Sequence, residues 1–319
     1  MSLSSFLTAG GASGMTSFFS VEYLFVFLPA AILLYWISPQ RIRRYVLLFE
    51  SCAFFWLISG KLTEYLILSA VSIYGFGLWL EKLEARKKEA IRGLEREEKK
   101  RVKKQFTVRL RLVLALAVCI HIGGLLVLKY SAFAAGNINS LLALMNVGAR
   151  MSIPKFIMPI GISFFTLQAV SYLVDVYRGK TKADRNFLRL LLWLSFFPQI
   201  VEGPICRYSQ TAHQIWKAEK INFDSLTFGL QRILFGMMKK IVVADRLNPL
   251  IENVFDNYNE YGGGVISLAA VCYTVQLYMD FSGSMDAVIG TAQIFGIEMP
   301  ENFKRPFFSK NDRDRKSVV

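Results

Sequence analysis

The sequence predicts an all-α, polytopic membrane protein with multiple transmembrane helices and re-entrant segments. Of its 319 residues, 53% are hydrophobic, a larger share than soluble domains usually carry. These residues cluster into five uncharged segments that approach or reach the ~17–25 residues needed to span a bilayer as a helix. The segments are Tyr23–Gln40, Tyr65–Leu80, Leu112–Leu128, Phe156–Val174 and Gly262–Met279.

The net charge of +14 is concentrated rather than spread along the chain. Residues 81–111 contain 13 Lys or Arg and 6 Glu, a net charge of +7. Mixed signs of this kind indicate a solvated cytoplasmic segment or an interfacial helix, and we expect no nucleic-acid partner.

Basic residues alternate between successive connections, which predicts a topology. Three arginines follow Tyr23–Gln40, a single lysine precedes Tyr65–Leu80, residues 81–111 follow that segment, and five basic residues follow Phe156–Val174. Because cytoplasmic loops are enriched in Lys and Arg, we expect a multi-pass plasma-membrane protein with its N-terminus outside. Residues 1–22 contain no Lys or Arg, so no cleavable signal peptide is predicted.

The segment FFPQIVEGPICRY, residues 196–208, interrupts an apolar run too short to cross a bilayer. Pro198 and the pair Gly203-Pro204 break helical hydrogen bonding. Irregular backbone survives at membrane depth only where protein covers it or a watery cavity borders it. We therefore predict a re-entrant hairpin, with Glu202 and Arg207 facing each other, backbone groups or a polar tunnel. The alternative is a simple turn at the surface.

Polar groups framed by apolar ones recur in residues 159–179 and 276–290. They fit either a polar chamber or close helix–helix packing through small and hydroxyl residues. Between these segments, Arg232, Lys239 and Arg246 recur every seven residues opposite an apolar face, a pattern typical of an interfacial helix.

Histidine and cysteine give no catalytic or metal-binding pattern. The four cysteines form no CxxC pair and have no histidine at ligand spacing, so they are interpreted as buried small residues and no metal site is expected. His121 is expected to be packed and hydrogen-bonded within a span, and His213 to lie in a loop. Motifs of serine hydrolases, P-loop proteins and zinc proteases are missing from the sequence.

Five motifs in fixed order carry a family resemblance. PIGISFFT, SYLVDVYRG, FFPQIVEGPICR, QLYMDFSGSMDAVIG and ENFKRPF together resemble the membrane-bound O-acyltransferase family, over roughly residues 20–308. The similar branch O-acetylates alginate and other exopolysaccharides, with the D-alanyl transferases of teichoic acid as near relatives.

The resemblance implies that residues 1–319 are one membrane domain, the N-terminal part of a fold built around a tunnel. An acyl thioester, acetyl-CoA or acyl carrier protein, would serve as donor from the cytoplasm, with no bound cofactor. The acceptor would be an extracellular glycan, a cell-wall polymer, or a secreted or periplasmic acyl-acceptor protein. By motif position, the residues expected to line or shape the tunnel are Gln199, Glu202, Gly203, Pro204, Arg207, Asp280, Ser282 and Gly283.

The sequence departs from the family pattern after ENFKRPFFSK. The family would continue into a Trp- and Arg-rich helix containing a histidine and, much later, into the helix with the catalytic histidine, whereas here residues 309–319 are an atypical polar tail. We therefore expect no catalytic residue in this chain, and a truncated chain that is inactive alone. Two alternatives are a membrane transporter or export subunit and a catalytically dead accessory membrane protein.

Overall fold

The computed structural model describes residues 17–145, Ser152 and 160–301, and within these residues every regular element is a helix. This confirms the predicted all-α fold. In chain order the elements are a π-helical segment Glu22–Phe27, α1 (Leu28–Ile37), α2 (Gln40–Ser59), a 3₁₀ turn Gly60–Leu62, α3 (Thr63–Ala90), α4 (Arg96–Leu144), α5 (Ile162–Tyr177), α6 (Phe187–Ser195), α7 (Tyr208–Lys217), α8 (Phe223–Met237), a π-helical segment Met238–Ala244, α9 (Asp245–Asp256), a 3₁₀ turn Tyr258–Glu260 and α10 (Gly263–Ile294).

Three helical stretches are long and apolar enough to cross a bilayer, within the described part of the chain. They are Gln40–Ala90, which includes the 3₁₀ turn, Arg96–Leu144 and Gly263–Ile294; shorter apolar helices are Glu22–Ile37 and Ile162–Tyr177. All five predicted uncharged segments fall on these helices, although residues 156–159 lie outside the described residues. The described residues also exclude residues 1–16, most of ENFKRPF and the polar tail 309–319.

The chain divides into two compact units. The first contains the described residues of Phe54–Ser195 and Arg207–Ser209, and the second those of Ala12–Ala53, Phe196–Cys206 and Gln210–Val319. The single membrane domain predicted for residues 1–319 stays a prediction, and each unit is described here by itself.

In the first unit, α3 packs against α4, α5 and α6. A small residue permits one close approach, because a Cβ atom at Gly77 of α3 would lie 3.2 Å from the hydroxyl oxygen of Tyr172. The rings of Tyr172 and Trp193 both lie near the ring of Tyr208, with centroid distances of 4.8 and 5.1 Å. The basic segment 81–111 forms the end of α3, a turn at Gly93 (φ +82°) and the largely exposed start of α4.

In the second unit, α8 and α10 pack along most of their length. The turn before α2, the end of α7 and the end of α10 also meet. The amide Nε2 of Gln40 donates to the carbonyl of Ala218 (3.2 Å), and the Tyr35 hydroxyl donates to the carbonyl of Glu219 (2.7 Å). The backbone N–H of Glu298 donates to Gln214 Oε1 (3.0 Å), which brings the residues after α10 to the same end.

Candidate functional site

The loop predicted to be re-entrant is irregular and mostly buried, as its prolines require. Helix α6 ends at Ser195, and no regular helix resumes until Tyr208. The backbone is held locally, because the N–H of Gln199 donates to the carbonyl of Phe196 (3.0 Å) and that of Phe197 donates to Ser51 Oγ (3.3 Å). The ring of Phe197 lies edge-on to Phe295, with a centroid distance of 5.5 Å. The loop is thus covered by protein, as irregular backbone in a membrane must be.

Gly203 allows this loop to fold closely on itself and on α10. A Cβ atom at this position would lie 3.0 Å from Gln199 Cβ and 3.2 Å from Val288 Cγ1. Contacts this short are tighter than most Cβ contacts, so a side chain here would push its neighbours apart by a few tenths of an ångström, and glycine permits the close fit. Pro204, the next residue, is also buried.

Three buried polar side chains of the second unit, those of Glu50, Gln199 and Ser282, have no hydrogen-bond partner among the described residues. Gln199 is 4% exposed, and both its Nε2 and Oε1 atoms are unpaired; the Oγ atom of Ser282, on α10, is unpaired as well. A buried polar group without a partner costs roughly 1–3 kcal/mol, which makes such groups rare in native structures. An amide with a free donor and a free acceptor is equipped to bind a polar ligand.

Glu202 lies beside a small charged cluster. Its carboxylate forms a hydrogen bond with Ser284 and interacts electrostatically with Asp280 and Lys240. The ammonium of Lys240 also pairs with Asp280, at an Nζ–Oδ1 distance of 2.5 Å. Two predicted site residues, Glu202 and Asp280, therefore belong to one cluster. Lys240 and Ser284, which also belong to it, were not predicted as site residues.

The other predicted residues have different environments. Gly283 packs against α8, since a Cβ atom there would lie 2.8 Å from the carbonyl oxygen of Gly236. Arg207 is exposed and belongs to the first unit. A role for any of these residues in a tunnel stays a prediction.

A second charged cluster joins α8 to α10. Arg232 donates from Nε (3.1 Å) and Nη2 (3.0 Å) to Asp286 Oδ1, and Lys239 donates to Asp286 Oδ2 (2.6 Å). Arg232 also pairs with Glu301. At Arg232 and Lys239 the charged face of the helix predicted to be interfacial therefore packs on another helix, and the interfacial location itself stays a prediction. Arg246 alone is exposed.

A sequence signal for this helix pair was present. GLQRILFG and GSMDAVIG each place two glycines seven residues apart. In the structure Gly229 packs on Gly290, and Gly236 on Gly283, with Cβ positions that would lie 2.5–2.8 Å from the opposing carbonyl oxygens. Matched glycine spacing in two apolar helices indicates close packing, and close packing brings the flanking charges into contact.

The first unit contains a polar cluster around Asp184, whose side chain is fully buried. Its carboxylate accepts hydrogen bonds from Arg189 Nε and Nη2 (both 2.6 Å), from the Tyr208 hydroxyl and from the N–H of Asn186 (2.8 Å). Burial alone would raise the pKa of Asp184, but these hydrogen bonds lower it overall. Burial, together with the bond to Asp184, raises the pKa of Tyr208.

The two histidines differ from each other. His121 is 5% exposed, and its Nδ1 lies 3.3 Å from Ser69 Oγ, which confirms the expectation of a packed, hydrogen-bonded residue. His213 is exposed on α7, so its placement in a loop was wrong. Among the residues that the structure describes, no group of three or more His, Cys, Asp or Glu side chains is arranged to hold a metal ion.

The fold and the buried polar loop define a helical membrane protein with charged and amide groups in its interior. No family model matches the chain. It is 30% identical over 299 residues to "Probable alginate O-acetylase AlgI" of Azotobacter vinelandii, covering 92% of this chain and 54% of the relative. It is 29% identical to a peptidoglycan O-acetyltransferase of Helicobacter pylori over 232 residues, 65% of this chain and 43% of that protein. It is 32% identical to a teichoic acid D-alanyltransferase of Bacillus subtilis over 160 residues, 49% of this chain and 40% of that protein.

These similarities agree with the resemblance to the membrane-bound O-acyltransferase family. The chain spans about half the length of the curated relatives it matches.

Proposed function

We propose that the chain is a substrate-binding membrane portion of an O-acyltransferase. The reaction would move an acyl group, acetyl in the first instance, from a cytoplasmic thioester, acetyl-CoA or acyl carrier protein, to a hydroxyl of an extracellular polysaccharide or cell-wall polymer. A secreted or periplasmic acyl-acceptor protein would serve equally well as an intermediate acceptor. The names of the relatives support this reaction class, and the unpaired amide of Gln199 is the structural observation that favours a ligand site.

The chemistry suits the groups of the loop. The acceptor hydroxyl attacks the thioester carbonyl carbon, the carbon–sulfur bond breaks, and the hydroxyl proton passes through a base to the departing sulfur. Negative charge develops on the carbonyl oxygen, where a preorganised donor in a water-poor site is most effective. In this proposal Gln199 Nε2 supplies that donor, and the close fit of Gly203 against Gln199 keeps the side chain in place.

We assign no general base among the described residues. His121 Nδ1 lies 3.3 Å from Ser69 Oγ and its Nε2 has no partner among the described residues, but His121 matches no histidine position of the family resemblance; His213 is exposed on α7. The chain alone is therefore expected to bind an acyl thioester without transferring its acyl group.

The test is Gln199→Met, which keeps the side-chain length and removes both unpaired polar atoms. Acetyl-CoA binding to the chain in lipid nanodiscs should weaken about fivefold to tenfold, the equivalent of one lost hydrogen bond. The variant's own thermal stability should rise, because a buried unsatisfied amide has been replaced by an apolar group. The exposed Gln105 provides the matched control Gln105→Met, which should change neither quantity. Unchanged acetyl-CoA binding in Gln199→Met would contradict the proposal, and glycan transport by vesicles without thioester binding would favour an export function.

A further inference from the structure

A cavity of about 470 Å³ in the first unit is lined by residues outside the loop 196–206. It lies between the end of α3 and the connection from α5 to α6. Its lining includes Glu81, Lys182, Asp184, Arg185, Arg189 and Tyr208.

The charge available to a ligand in this cavity is positive. The negative charge of Asp184 is already matched by its two hydrogen bonds from Arg189, and the Tyr208 hydroxyl occupies the same carboxylate. Lys182 and Arg185 are both exposed, and among the described residues neither forms an ion pair. Against these two cations stands one further carboxylate, Glu81. The cavity is therefore suited to an anion.

The loop that carries the two cations is held in one conformation. The Tyr74 hydroxyl donates to the carbonyl of Arg185 (3.0 Å), and the N–H of Asp184 donates to the Tyr172 hydroxyl (2.8 Å). The N–H of Lys180 donates to the carbonyl of Asp175 (2.9 Å). Because the backbone is fixed before binding, a ligand would not have to order this loop, which lowers the cost of binding.

The cavity also lies at one membrane end of the unit. Glu81 begins the basic segment 81–111, and Lys182 and Arg185 belong to the basic connection after α5. The structure brings together these two connections, and both are the ones that the positive-inside rule assigns to the cytoplasm.

We propose that the cavity beside Lys182 and Arg185 is a binding site for a phosphate group presented from the cytoplasmic side. Arginine and lysine are the residues that bind phosphate oxygens by charge-assisted hydrogen bonds. Two molecules could present this phosphate. One is a phosphorylated acyl donor of the coenzyme A type, and this version of the proposal rests on the proposed function. The other is the headgroup of an anionic phospholipid, and that version is independent of the proposed function.

The test compares Lys182→Gln/Arg185→Gln with a control that loses the same charge, Lys99→Gln/Lys104→Gln, on exposed residues of α4. Coenzyme A binding is measured by calorimetry in phosphatidylcholine nanodiscs. Thermal stabilisation is measured on changing phosphatidylcholine to a mixture with phosphatidylglycerol. Removing two charged contacts should weaken the affected interaction about tenfold or more, while the control stays within about twofold of the unmodified chain.

Loss of coenzyme A binding with unchanged lipid stabilisation would identify the donor as the source. Loss of phosphatidylglycerol stabilisation with unchanged coenzyme A binding would identify the lipid, and this site would then stand even if the acyltransferase proposal failed. Equal losses in the test and control variants, or no loss in either assay, would overturn the site. Lys182→Arg/Arg185→Lys should retain binding, and failure to do so despite an unchanged melting temperature would also contradict a charge-based site.

Discussion

Arg232 and Asp286 join α8 to α10 through two hydrogen bonds, of 3.1 Å from Nε and 3.0 Å from Nη2 to the same carboxylate oxygen. Lys239 occupies the other oxygen at 2.6 Å. All three side chains are at most a quarter exposed, so Asp286 is a shared partner of two partly buried cations, of which Arg232 has a second partner in Glu301.

Asp286→Ala should destabilise the chain strongly, because both cations lose a partner inside the helix pair. Breaking a buried pair by removing one partner costs roughly 3 kcal/mol or more, and denaturant unfolding in detergent would measure it. Asp245→Ala is the control. Its ion pair with Lys240 is about half exposed on the aspartate side, and its loss should change the free energy of unfolding by about 1 kcal/mol or less. Similar losses in the two variants would contradict a structural role for the Asp286 cluster.

Gly236→Ala should separate α8 from α10. The added Cβ atom would lie 2.5 Å from the carbonyl oxygen of Gly283, and backbone cannot yield without moving the helix. A loss of about 1–3 kcal/mol in the free energy of unfolding is expected, as for other overpacked contacts. Gly136→Ala on α4 has no atom within 4 Å of its Cβ and should instead be stabilising by about 0.5–1 kcal/mol, through helix propensity. If both variants changed the free energy of unfolding in the same direction, the Gly236–Gly283 contact would not determine how closely α8 approaches α10.

Asp184 should make stability depend on pH at the acid end. Its pKa is lower in the folded chain than in the unfolded chain, so below about pH 4 the unfolded state binds the additional proton. Its contribution is therefore fully present above about pH 4 and is lost as the pH falls through the lower, folded-state pKa. Unfolding measured between about pH 6 and pH 2.5 should show a shallower acid loss in Asp184→Asn than in the unmodified chain. Asp224→Asn, at an exposed position, should follow the unmodified curve, and coincidence of all three curves would exclude this role for Asp184.

The second unit also predicts a topology beyond residue 190. Gln40, next to the basic turn, contacts the residue before Glu219, so Lys220 should share its membrane side, the cytoplasm. The residues after α10 lie at this same cytoplasmic end. Helix α10 is about 48 Å long at 1.5 Å per residue, long enough to cross the bilayer. Glu260, which precedes α10, should therefore lie outside. In a background without the native cysteines, an impermeant maleimide added to intact cells should label Glu260→Cys and spare Lys220→Cys. The reverse pattern would invert the orientation.

The helices and the broken loop could be predicted from the sequence because both depend on neighbouring residues: the length of an apolar segment and the position of a proline. The break after Ser195 follows from Pro198, and the buried, irregular backbone follows from the cost of unpaired amides in lipid. The partner of Arg232 could not be read from periodicity. A seven-residue spacing defines a face, but in a membrane protein a charged face turns toward neighbouring helices rather than toward water. The pairing with Asp286, 54 residues away, depends on the glycine contacts that set the approach of two helices.

The contacts of Gly229 with Gly290 and of Gly236 with Gly283 are made by backbone atoms rather than by large side chains. Their attraction is van der Waals contact between peptide groups and does not depend on expelling water, so it changes little when lipid tails are exchanged for other hydrocarbon. The α8–α10 pair should therefore survive solubilisation in detergents that strip lipid from the rest of the surface. Detergents for purification can therefore be varied widely without separating these two helices.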